Sequence, residues 1–71
     1  NAGEELALSE REKEVLELLC QARSNHQIAR RLNVAETTVK THVSAIMRKM
    51  NVASRLEIVV EAHRRGLASG F

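Results

Sequence analysis

The sequence contains no proline, no tryptophan, no tyrosine and no aspartate, and Phe71 is its only aromatic residue. Each absence narrows the field. With no proline and three glycines, little interrupts helices joined by short connections. Any core must be aliphatic. There is no aspartate to accept a phosphoryl group and no Asp-rich calcium loop. Cys20 is the single cysteine, so no intrachain disulfide can close and no CxxC pair can hold zinc. That suits a reducing, cytoplasmic setting. No apolar run approaches the roughly 20 residues of a membrane span, and no basic and apolar signal opens the chain. The chain does not start with methionine and is expected to be a fragment or a processed product. Its 71 residues suffice for one small domain with no separate catalytic unit.

What is present is unevenly distributed. Residues 1–19 carry six glutamates against Arg11 and Lys13, whereas residues 20–55 carry Arg23, Arg30, Arg31, Lys40, Arg48, Lys49 and Arg55 against Glu36 alone. A basic middle of this kind suits a polyanion; it is also what a solvated basic surface looks like.

The expected fold is all-α: a compact four-helix bundle containing a helix-turn-helix, with helices at about 10–21, 25–32, 36–50 and 55–65. Ser9-Glu10-Arg11-Glu12 reads as a capping box opening the first helix, whose Val15, Leu16, Leu18, Leu19 and Ala22 form the core-facing stripe. Ser24 to Gln27 and Ser54 to Glu57 repeat the box for the second and fourth helices. Asn33 and Gly66 suit helix ends. Ala35 is a poor cap for the third helix, which Glu36 partly offsets through the helix dipole. Residues 1–7 read as a leader or linker stub, 8–67 as the domain and 68–71 as a tail.

The third helix carries the functional signal. Val39, Val43, Ile46, Met47 and Met50 fall on one helical stripe. Its other side holds Lys40, Thr41, Ser44 and Arg48, and no acid occurs from Thr37 to Met50. A solubilising face normally mixes Glu with Lys. Thr37, Thr38, Thr41 and Ser44 are short enough to admit a phosphate backbone closely and can donate to it, and Lys40 can reach a guanine edge. Residues 33–35 join helices two and three so tightly that a helix-turn-helix is expected.

Four strings, Leu8 to Leu16, Ser24 to Leu32, Thr38 to Val43 and Ser54-Arg55, resemble the LuxR/NarL-type (GerE-like) helix-turn-helix domain of bacterial transcription regulators, over about residues 8–67. The resemblance implies a sequence-specific double-stranded DNA-binding output domain whose third helix enters the major groove, bound as a dimer with helix 4 at the contact. By position, Lys40, Thr41 and Ser44 would face base edges. Thr38, His42, Arg48 and Lys49 would lie at or near phosphates, and Asn25 and His26 would approach the backbone from the amino end of helix 2. Ile58, Glu61, Ala62 and Arg65 would form the dimer contact, a missing amino-terminal regulatory domain or RNA polymerase being further partners. The chain departs from the family pattern at Ala22-Arg23, where a turn glycine is usual, and at Ala35, where Ser or Thr caps helix 3.

Other readings carry less. His26, His42, His63 and Cys20 have no metal-ligand spacing, and no cofactor is expected. No nucleophile, base and anion-hole set suggests an enzyme. The competing reading is a small helical protein-interaction module using helix 4 and the acidic helix 1.

Overall fold

The computed structural model describes residues 7–67. Four helices follow one another: α1 Glu10–Cys20, α2 Asn25–Leu32, α3 Glu36–Met50 and α4 Arg55–Arg64. The expected leader, apart from Ala7, and the expected tail lie outside the described residues.

Serine starts three of the helices. Ser9 Oγ accepts from the Glu12 amide at 3.1 Å while the Glu12 carboxylate accepts from the Ser9 amide at 3.0 Å. Ser24 and Gln27 make the same reciprocal pair. The third box is incomplete. Ser54 Oγ accepts from the Glu57 amide, but the Glu57 carboxylate meets the Ser54 hydroxyl instead of its amide. Ala35 gives α3 no side-chain cap.

The ends share one device. At each, two consecutive amides past the helix turn back to its last carbonyls, the second spanning five residues: Arg23 to Leu18, Val34 to Ala29, Val52 to Met47 and Leu67 to Ala62. The device needs one left-handed residue, supplied by Ala22, Asn33, Asn51 and Gly66. Val34, Val52 and Leu67 then pack on the core. The first helix is the exception. It stops at Cys20, one residue short of expectation, and Ala22 is not part of its buried stripe: it is exposed, with φ 63°. The fourth helix likewise ends one residue early, at Arg64.

The core is aliphatic. Val15, Leu19, Ile28, Val39, Ile46 and Ile58 are all but sealed from solvent. α3 touches each of the other three helices, and its Val39, Val43, Ile46 and Met50 are buried, with Met47 half-buried beside them. Ile58 and Ala62 are both 0% exposed. That corrects their expected place in a dimer contact, because a side chain surrounded by its own core presents no surface to a second molecule. Leu56 and Val60 face outward instead.

The strain at Ala22 generates a prediction. A left-handed alanine costs about 1–2 kcal/mol relative to its ordinary conformation, part of which glycine returns through greater freedom in the unfolded chain. Ala22→Gly is therefore expected to raise the thermal midpoint, with a gain of about 0.5–1 kcal/mol in denaturant titrations. An unchanged or lower midpoint contradicts the strain.

Candidate nucleic-acid interface

The buried stripe of α3 decides what its other side presents. At 3.6 residues per turn, Thr37, Thr41, Ser44 and Arg48 run along the line opposite the core, and all four are exposed. Lys40 is exposed on one flank; Thr38, His42 and Lys49 lie on the other, His42 half-buried. Glu36 is the sole acid of the helix. Lys40 and Arg48 make no ion pair among the described residues, nor do Arg30 and Arg31 on α2.

Two cations of the basic middle have other work. The Lys49 ammonium donates to the Glu12 carboxylate at 2.6 Å and to the Ala7 carbonyl at 3.2 Å. Its charge faces α1, away from where a phosphate contact needs it. Glu12 is buried, and its carboxyl is held below the usual range, first by the Lys49 hydrogen bond and then by the Ser9 amide. The Arg55 guanidinium reaches back to the Asn25 side-chain oxygen and, at 2.6 Å, to the Arg23 carbonyl. It thereby ties the first residue of α4 to the α1–α2 turn and fixes the amino end of α2.

The remaining expected phosphate contacts sit at that end. Asn25 is half-buried, with its carbonyl oxygen occupied by Arg55. His26 is exposed, and its Nδ1 lies 2.9 Å from the Glu36 carboxylate, linking the starts of α2 and α3. The structure thus brings Asn25 and His26 next to the start of α3 and leaves Thr37, Thr38, Lys40, Thr41, Ser44 and Arg48 on one exposed helix. Thr41 is not a free hydroxyl donor, since its Oγ1 donates to the Thr37 carbonyl at 3.0 Å.

On α4, Glu61 is half-buried and engaged by Arg64 and Arg65, which lower its pKa to about 2. Two of the four residues expected there as dimer contacts, Glu61 and Arg65, are thus paired with each other. Cys20 is buried, and burial, helped by Glu17, pushes its thiol up. A groove of about 970 Å³ opens beside it, between the α1–α2 turn and the start of α4, edged by Arg55, Leu56 and Val59.

Sequence reasoning missed Arg55 and Glu12. A signal existed for Arg55, because a cation in the first turn opposes the helix dipole and needs another reason to be there. None existed for Glu12, whose partner lies 37 residues away.

The acid limb of stability follows from these carboxylates. A group whose pKa is lower folded than unfolded stabilises above its unfolded value, and that contribution is lost as pH falls through the folded one. Glu12 and Glu61 both shift downward from 4.5. The thermal midpoint is expected to fall as pH drops from about 5 toward 2. Glu12→Gln should cost about 1–3 kcal/mol at neutral pH and flatten that limb. An acid limb as steep as in the unsubstituted chain contradicts the assignment.

Residues 6–62 match the family model described as bacterial regulatory proteins, luxR family. The chain is 50% identical over 56 residues to the glycerol metabolism activator of Pseudomonas putida, covering 79% of the chain and 25% of that protein. It is 44% identical over 57 residues to the nitrate/nitrite response regulator protein NarL of Escherichia coli K12, covering 80% and 26%. It therefore spans about a quarter of the length of these curated relatives. Among solved structures, the transcription factor GerE superposes with a TM-score of 0.79 at 34% identity, over 87% of this chain and 92% of that one.

Proposed function

The chain belongs to the luxR family of bacterial regulatory proteins, and from that premise we propose that it is the sequence-specific, double-stranded DNA-binding output domain of a transcription regulator working in the bacterial cytoplasm. The observation that carries this reading is the exposed outer side of α3, free of acid beyond Glu36 and bearing Lys40 and Arg48 without ion-pair partners among the described residues. A helix with that face fits the major groove. Lys40, Thr41 and Ser44 meet base edges, while Thr37, Thr38 and Arg48 meet phosphates. His42 lies at the margin, and Asn25 and His26 bring the amino end of α2 to the backbone. Lys49 supports this arrangement from behind, through Glu12.

Affinity then comes largely from phosphates. With roughly three to four contacts per monomer, log affinity should fall with log salt at a slope of about −3 to −4. Lys40→Ala should cost about 1–3 kcal/mol on a selected site and clearly less on random duplex. Equal losses on both make Lys40 a phosphate contact, and salt-independent or absent duplex binding rejects the function. In that event the family surface serves protein contacts alone, through α4 and the glutamates of α1. Two of those glutamates already pair within their own helix, Glu14 with Arg11 and Glu10 with Lys13.

A second copy is the expected partner of α4. Leu56 is 71% and Val60 59% exposed on the face that Ile58 and Ala62 do not reach. Dimeric binding should favour half-sites about ten base pairs apart. Leu56→Glu together with Val60→Glu should abolish that preference while leaving the helical melting transition in place. A preference that survives the double substitution moves the contact elsewhere.

A further inference from the structure

Arg55 is the first residue of α4, where a cation opposes the helix dipole. Its guanidinium serves other segments. One arm donates to the side-chain oxygen of Asn25 and the other, at 2.6 Å, to the Arg23 carbonyl. The residue is half-buried, and its two bonds hold it from two sides. A guanidinium carries donors only. The Asn25 amide must therefore meet it with its oxygen, in a charge-assisted bond about twice as strong as a neutral one. The Asn25 amino group is left on the other branch of the planar amide, and no hydrogen bond from it is present among the described residues. The capping box takes up the Ser24 and Gln27 amides, whereas the Asn25 and His26 amides have no carbonyl behind them in the helix.

We infer that Arg55 is a positioning residue for duplex binding: without touching the DNA, it fixes the Asn25 amide so that the amino group, not the oxygen, is offered to a backbone phosphate. This rests on the DNA-binding reading above and deepens it. An asparagine amide has a donor end and an acceptor end, and only the donor end suits a phosphate oxygen. An amide free to rotate presents either. Arg55 removes that choice before a duplex arrives, because turning the amide over forfeits its charge-assisted bond.

The test takes one duplex selected from a random pool and replaces its phosphates one at a time with uncharged methylphosphonate. One position per half-site should weaken binding by the unsubstituted chain about three- to tenfold and lose most of that effect in Asn25→Ala. Arg55→Met should lose the effect at that same phosphate, keep it at the others, and add little to Asn25→Ala when the two are combined. Thermal melts report the fold of each variant. Arg55→Lys, which keeps the charge, serves if the methionine variant unfolds. A single ammonium cannot reproduce the planar fork on both oxygens, so it too should blunt that one position.

A merely structural Arg55 gives another pattern. Its variants then lower the thermal midpoint and weaken binding evenly, with the response at the Asn25 phosphate unchanged, and the assignment is overturned. A scan in which Asn25→Ala alters no position overturns it too. So does a phosphate whose effect depends on Arg55 but not on Asn25, because Arg55 then touches the DNA itself. A chain that binds no duplex in a salt-dependent way fails earlier, on the function, and is recognised by that.

Discussion

The packing of one side of α3 governs everything this molecule presents to a partner. Val39 and Ile46 are sealed and Val43 and Met50 nearly so, and burying such side chains is worth about 1.5–3 kcal/mol each. A chain of this size has few other sources of stability. The helix therefore cannot rotate without exposing those groups, and its outer line of Thr37, Thr41, Ser44 and Arg48 is held outward by the same energy. Because α3 also touches α1, α2 and α4, the surface it offers is carried by the whole domain.

The charges follow a division of labour that a count along the chain conceals. Seven cations occupy residues 20–55. Lys49 is used to hold α1 against α3 through a buried carboxylate, and Arg55 to join α4 to the start of α2. Lys40, Arg48, Arg30 and Arg31 stay in solvent without acid partners among the described residues. Glu36, the lone acid, is engaged with His26 at the junction of α2 and α3. The inward cations join the helices to one another; the outward ones give the domain a positive surface.

Local features were the legible ones. Serine caps, left-handed asparagines and the apolar stripe of α3 each act within a few residues, so their spacing in the chain is their geometry. What stayed hidden depends on contacts between distant segments. Glu12 reads as an ordinary capping residue until Lys49 arrives from another helix. The resemblance puts Ile58 and Ala62 at a dimer contact, and only the assembled bundle shows that both point inward while Val60 faces out. Periodicity counts Ala22 into the buried stripe because it does not mark where the helix stops; α1 ends at Cys20, a residue earlier than the pattern suggests, and Ala22 is left-handed.

The central claim is that the outer side of α3 is the surface that meets a duplex. Its most direct test is a titration of the isotope-labelled chain with duplex DNA, followed residue by residue in nuclear magnetic resonance spectra. The account predicts that signals of Thr37, Lys40, Thr41, Ser44 and Arg48 move together with those of Asn25 and His26, while those of Lys13 and Glu17 on α1 stay in place. Shifts gathered on α1 or around Leu56 and Val60, with α3 unmoved, contradict it.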